Sequence, residues 1–397
     1  IDRDDLFSFG RIEGGDVLPG IIRSDRSLSV QDADVLAQYL ENHKVIVLAG
    51  EGTFSIAALQ DQARRDREAQ ALLAFSERFD APLLADPLSQ LRSYGHPAVI
   101  CGYDQIMNSP DMPEFEVVIR FGRYPVSKRA AQAIESLRPA QIVVDVQESR
   151  DFNAQTTTFV AANPLDFVVA LLEAVSYSLD EIPDEQSHLP LNIQEWGMLD
   201  RDRSERILAS NLAEDDSFEG AYVQALLQEI RAVDEFYFTR GKRLTVLANR
   251  GLNGIDGTVS SAFGAAQEFK QTVFLTGDLT FLHDMNALAL QEEMLLQEKE
   301  GMHRPSIVIV LLNNQGGAIF DMLPQQSKEA YFERLFLTPQ HVDFCAVAQA
   351  FGVPATKVAT VEDFRRALTK NFEVPGISLV EVTVPLQGVK ERYGRYR

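Results

Sequence analysis

Two short pairs of residues carry the chemistry this chain could perform: Gly277-Asp278 and Asn313-Asn314, each closing an apolar run. Residues 272–276 read as one buried strand and residues 306–312 as the next. Between them Asp284 could N-cap a segment in which Met285, Leu288 and Leu295 are spaced as on one helix face. A right-handed crossover makes the two strands parallel, so Asp278 and Asn314 both emerge at carboxyl ends, where open α/β sheets bind ligands. Magnesium suits such a place, because it takes about six oxygens in octahedral geometry and shares them with substrate phosphates. Asp278 would supply charge, Asn314 an amide oxygen and Gly316, ahead of Gly317, a main-chain carbonyl. Diphosphate oxygens and water would complete the shell. The competing explanation, turn-capping by Asp278 and loop chemistry at Asn313-Asn314, has to treat the coincidence of two strand ends as accidental.

These residues must be positioned by a larger framework, and the pattern of the chain predicts α/β architecture in two doubly wound, parallel-sheet domains. In the first block, apolar runs over 45–48, 82–84, 117–119 and 142–146 alternate with helix-like stretches over 30–41, 58–79 and 127–137. Residues 178–190 turn polar and include Asp180, Glu181, Pro183, Asp184, Glu185 and Pro190, which suits an exposed connection. A division at 1–185 and 186–397 follows. The second block offers strands over 244–248, 272–276, 306–312 and 377–383, with helices near 258–267, 284–300 and 361–371. Trp196 reads as a domain-packing anchor.

Composition narrows the class of function. The 397 residues are 45% hydrophobic, enough for two or three cores, and no apolar run approaches the roughly 20 residues that span a bilayer. A soluble, cytoplasmic protein is expected. The formal charge of -21 repels nucleic acid and acidic membranes, so an anionic ligand must be held by local cations or a metal. Cys101 and Cys345, the two cysteines, lack metal or redox spacing and read as buried free thiols.

Other glycine-rich segments compete for a phosphate role. Gly50-Glu51-Gly52 follows a strand but lacks the third glycine and the acidic ribose partner of a dinucleotide fingerprint. Gly251, Gly254 and Gly257 precede an apolar helix face of Val259, Ala262, Phe263 and Ala266, so their amides could approach a ligand, or simply form a tight turn.

The chain resembles the thiamine-diphosphate enzymes, in which a Gly-Asp pair and a later Asn bind the metal-diphosphate. Asn249-Arg250-Gly251 with Gly254-Ile255-Asp256-Gly257, Gly277-Asp278-Leu279 with His283-Asp284-Met285-Asn286, and Asn313-Asn314-Gln315-Gly316-Gly317 with Ile319-Phe320 are together similar to one family of them. That family is the 2-succinyl-5-enolpyruvyl-6-hydroxy-3-cyclohexene-1-carboxylate synthases of menaquinone and phylloquinone synthesis. Leu84-Ala85-Asp86-Pro87-Leu88 and Lys128-Arg129 extend the likeness into the first block. The resemblance implies a decarboxylating ligation of 2-oxoglutarate to isochorismate with thiamine diphosphate and magnesium, or manganese, as cofactors. It implies that Asp278, Asn314 and the Gly316 carbonyl hold the metal, that Ile255 props the cofactor in a bent conformation, and that Gly277, Leu279 and Ile319 also contact it. Phe320, Ile319 and Leu323 would line the isochorismate side. Arg250, Arg231 and Lys128 would serve as catalytic and substrate-binding residues, and both substrates are dicarboxylates that forked guanidinium groups bind well. A homodimer or homotetramer is implied.

Three departures from the family pattern qualify this. The resemblance places a pyrimidine-binding domain, with an activating glutamate, ahead of Ile1, so this chain is expected to be incomplete and inactive alone. A strand and serine-containing turn expected before Arg231 are missing between Ile230 and Arg231. Residues 298–304 read as extra helix end or loop. Two other classes stay open: a non-catalytic diphosphate-binding regulatory or structural chain, and a first block that binds a flavin or adenine nucleotide, supported by Gly50-Glu51-Gly52. His283, five residues beyond Asp278, reads as a structural, hydrogen-bonded histidine. His43, His96, His188, His303 and His341 fall in connecting or polar segments.

Overall fold

A computed structural model describes residues 28–146, 154–177, 189–213, 244–249, 254–269, 271–299, 305–327 and 329–385. Ten strands among these residues form two sheets, parallel throughout. The fold is α/β, as expected.

The first sheet has the order β3-β2-β1-β4-β5-β6, with β1 at Val45–Ala49, β2 at Leu83–Ala85, β3 at Val99–Ile100, β4 at Val117–Phe121, β5 at Ala140–Val144 and β6 at Thr158–Val160. All residues of β1 and β4 are buried, as expected in a sheet covered on both faces; β1 is wholly apolar and β4 is apolar but for Arg120. Helix α1 (Val30–Glu41) matches its expected span, and Ser29 caps it by accepting from the Asp32 amide. The helix expected over 58–79 is broken: a short helix Ile56–Gln60 ends at Asp61, whose carboxylate caps α2 (Gln62–Arg78). Helices α3 (Lys128–Leu137, capped by Ser127), α4 (Pro164–Ala174) and α5 (Leu191–Ala213) follow.

Helix α5 lies beyond the division at residue 185, yet it packs on the first sheet. Trp196 is fully buried in a cluster with Ile46, Leu48 and Val118. Asn192 donates its side-chain amide to the Val45 and Asp80 carbonyls, each at 2.9 Å.

Strand order reverses between β1 and β4, the position where doubly wound sheets open a ligand crevice. Here the loops after the two strands meet across it. The Arg123 amide donates to the Glu51 carbonyl at 2.8 Å, and a Cβ on Gly50 would stand 2.1 Å from the Arg123 carbonyl oxygen. The Gly50-Glu51-Gly52 glycines therefore serve backbone crossing.

The second sheet has the order β7-β8-β10-β9, with β7 at Thr272–Gly277, β8 at Ser306–Asn313, β9 at Ala355–Val358 and β10 at Gly376–Thr383. Strand β8 is buried along its whole length. Ile307, Ile309 and Leu311 join one apolar cluster; Val308, Val310 and Leu312 join another that includes the first sheet's core. The alternation is the pleat of a strand sandwiched between two layers. Strand β7 was expected to be buried; it lies at the sheet edge among the described strands, with Val273 47% exposed. Helices α6 (Thr258–Ala266), α7 (Asp278–Asp284), α8 (Gln291–Lys299), α9 (Phe344–Ala350) and α10 (Val361–Asn371) flank this sheet.

Two further expectations are corrected. Residues 244–248 form no strand: the main-chain groups of Leu244 and Val246 are satisfied by side chains, with Gln90 donating to the Val246 carbonyl at 2.7 Å and accepting from its amide at 2.8 Å. Ser93 treats Leu244 the same way, at 2.8 and 3.2 Å. A side-chain amide or hydroxyl offers both donor and acceptor, and so replaces the neighbouring strand. Asp284 ends α7 and makes no side-chain cap to the segment after it. Its carboxylate instead accepts from the Ser260 amide at 2.8 Å, in the first turn of α6. No described helix is long and apolar enough to cross a membrane.

Candidate functional site

Strands β7 and β8 are adjacent and parallel, with Gly277 aligned to Leu312, so the residues that follow each strand leave the sheet at the same end. Asp278 opens α7 and is 2% exposed. Its Oδ1 accepts from the Leu279 amide at 2.7 Å and its Oδ2 from the Gly316 amide at 2.8 Å. Asn314 Oδ1 accepts from the same Gly316 amide at 3.0 Å. Two side-chain oxygens from neighbouring strand ends thus converge on one nitrogen, as two donors to a single cation would have to.

The turn that achieves this is dictated by its sequence. Asn313 Oδ1 accepts from the Gln315 amide at 2.9 Å, and Gln315 adopts φ 65°, a left-handed conformation that the bond helps to hold. A Cβ at Gly316 would come 2.3 Å from the Leu337 carbonyl oxygen, so only glycine fits. The same carbonyl accepts from the Gly317 amide at 2.7 Å, and the Gln315 carbonyl from the Gln340 amide at 2.9 Å. Residues 337–340 therefore back the turn. The Gly316 carbonyl accepts from Ala318 at 3.1 Å and keeps its second lone pair.

Burial pushes the Asp278 carboxyl up to about 6, against the pull of amide donors from Leu279, Gly316, Gln315 and Asn314. Among the described residues no cation pairs with it. A buried carboxylate in that position fits a divalent cation. Among the described residues no three His, Cys, Asp or Glu side chains gather as a metal cage. One carboxylate, one amide oxygen and one main-chain carbonyl form instead a hard-oxygen set suited to an ion that takes its remaining ligands from phosphates and water.

The remaining expected residues are distributed around this centre. Gly277 ends β7, and Leu279 is half-buried beside Asp278. Ile319 and Phe320 are half-buried in the 3-10 turn Ala318–Met322; Phe320 lies against Gly317 and meets Phe336 edge-on at 6.2 Å. Leu323, at the end of that turn, is 40% exposed. Ile255 is also 40% exposed, in the turn before α6. The neighbouring Asp256 stands 3.4 Å from His283 Nδ1 on α7, an exposed pair. Lys128 is an exposed first residue of α3, on the first sheet's layer. Arg250 and Arg231, with the break before Arg231, lie outside the described residues, as does 300–304 of the expected insertion.

One residue escaped the sequence reading. Glu381, within the apolar run of β10, is 1% exposed and accepts from Asn313 Nδ2 at 2.9 Å. A lone charge in a strand otherwise reading as core was the available signal.

Residues 232–382 match the family described as thiamine pyrophosphate enzyme, C-terminal TPP binding domain. The chain is 33% identical over 333 residues to the 2-succinyl-5-enolpyruvyl-6-hydroxy-3-cyclohexene-1-carboxylate synthase of Lactococcus lactis subsp. lactis, covering 79% of this chain and 55% of the relative. The synthase of the same name from Desulfitobacterium hafniense is 34% identical over 348 residues, with 82% and 58% covered. That from Lactococcus lactis subsp. cremoris is 31% identical over 372 residues, with 89% and 61% covered. The chain spans somewhat more than half the length of these relatives. The Asp278, Asn314 and Gly316 cluster at the paired strand ends lies within the segment that matches the thiamine pyrophosphate binding domain, and the chain is similar to these synthases.

Proposed function

We propose that the full-length protein joins 2-oxoglutarate to isochorismate with loss of carbon dioxide, giving 2-succinyl-5-enolpyruvyl-6-hydroxy-3-cyclohexene-1-carboxylate. The observation that carries this reading is the convergence of Asp278 and Asn314 on the Gly316 amide, in a chain whose relatives bear that synthase name. In this reading residues 186–397 form the diphosphate-binding domain and residues 1–185 a central domain. Asp278, Asn314 and the Gly316 carbonyl hold magnesium or manganese, while Gly277, Leu279, Ile255 and Ile319 contact the cofactor. When bound, thiamine diphosphate supplies the electron sink that decarboxylation needs and that no side chain offers.

The rest of the task falls to the protein. Phe320, Ile319 and Leu323 present an apolar wall that excludes water on the isochorismate side. Arg250, Arg231 and Lys128 bind the substrate carboxylates, the arginines through paired N–H donors. The homodimer or homotetramer that the resemblance implies is extended to this protein, and a place in the cytoplasm goes with it.

Full-length protein saturated with thiamine diphosphate and magnesium should release carbon dioxide from 2-oxoglutarate and form the ligated product only with isochorismate present, as read by mass spectrometry. Absence of product under saturation would reject the assignment. Arg250→Ala should leave cofactor affinity intact and weaken 2-oxoglutarate or isochorismate dependence by about tenfold or more, the scale of one lost charged hydrogen bond; unchanged kinetics would remove Arg250 from the site.

A further inference from the structure

We propose that Glu381 is a positioning residue for the metal site, acting through Asn313 to hold the turn that presents Asn314 and Gly316 to Asp278; this rests on the diphosphate-site reading above. Glu381 occupies the interior of a parallel sheet, between the buried Val380 and Val382, where an apolar side chain would ordinarily sit. A carboxylate buried there is unfavourable unless its oxygens are partnered. Three groups partner it: Asn313 Nδ2 at 2.9 Å and Lys357 Nζ at 2.9 Å on Oε1, and Cys345 Sγ at 3.3 Å on Oε2.

These contacts are not equivalent. The Lys357 side chain is 59% exposed and reaches Glu381 from the solvent side, so it offsets the buried charge without touching the turn at Asn313. The Cys345 thiol, pushed up to about 12 by burial and then by Glu381, stays protonated and donates. The Asn313 contact is directional. With its NH2 on Glu381, the opposite end of the Asn313 amide must face the Gln315 N–H, which it meets at 2.9 Å. That bond holds Gln315 at φ 65°, and the next amide, Gly316, then falls between Asp278 and Asn314. Glu381 is thus three linked hydrogen bonds from Asp278. It touches none of the expected ligands and so acts one contact further out than the partners that hydrogen-bond metal ligands directly.

The test is calorimetric titration of the full-length protein with thiamine diphosphate in magnesium chloride, alongside cofactor-free thermal unfolding. Glu381→Leu should weaken magnesium-dependent affinity by about tenfold, the lower end of the range for partners bonded directly to metal ligands. Glu381→Gln keeps an oxygen for Asn313 and should recover most of that loss, and Lys357→Met should stay within about twofold of wild type. Asn313→Ala, which removes the same relay from its other end, should reproduce the Glu381→Leu loss and decides the matter if Glu381→Leu does not fold. Folded Glu381→Leu or Asn313→Ala protein binding as wild type would overturn the proposal. Equal losses in Glu381→Gln, Glu381→Leu and Lys357→Met would also overturn it, because they would reveal a charge or stability effect. Wild-type protein that binds no cofactor would sink the diphosphate-site reading itself, and this proposal with it.

Discussion

The amide of Gly316 links residues from two strand ends, and almost nothing at that position can change. An added methyl group would stand 2.3 Å from the Leu337 carbonyl oxygen, which is itself held by Gly317. Gly316→Ala should therefore displace the turn and lower stability by about 1–3 kcal/mol, measured by urea unfolding. Stability within experimental error of wild type would mean that residues 337–340 yield freely. Asp278, Asn314 and Gly316 were legible from sequence because their types matter only at strand ends, and the apolar runs locate those ends. Glu381 was not, since its meaning depends on the sheet order that sets β10 beside β8. Lys128 and Ile255 had a family likeness to suggest them and no local pattern that tied them to Asp278.

At the scale of elements, periodicity located most strands and helices, while the contacts that fasten them came from distant residues. Asp80 shows why. It sits at φ 48° just after α2, and its two carboxylate oxygens accept from the Asn192 and Ile193 amides at 2.9 Å, in the first turn of α5. A capping residue 112 positions away in sequence leaves no local signature. Asp80→Ala should cost about 1–2 kcal/mol, the range for a lost helix cap, and expose Trp196 to solvent earlier in a denaturant titration followed by its fluorescence. A coincident, unshifted transition would show that the apolar contacts of α5 suffice. Residues 244–248 failed as a strand for a related reason: strand-like composition cannot reveal that Gln90 and Ser93 supply the missing ladder.

For the molecule as a whole, buried charge makes stability depend on pH. Burial of Asp200 on α5 raises its carboxyl above the ordinary 3.8, more than the Gly102 and Cys101 amides and the nearby Arg92 and Arg203 lower it. Between the unfolded and folded values the native state holds more protons, so this contribution to stability is present in acid and lost as pH rises through the folded value. Asp200→Asn should flatten the decline in urea midpoint with rising pH above about 4; a slope identical to wild type would assign the dependence elsewhere.

The central claim concerns one cation between a diphosphate and paired strand ends. Calorimetric titration of the full-length protein with thiamine diphosphate, with and without magnesium, compared with Asp278→Ala, measures it most directly. Wild-type binding should require magnesium and Asp278→Ala should abolish that requirement together with the binding, whereas equal affinity in the two proteins would contradict the account.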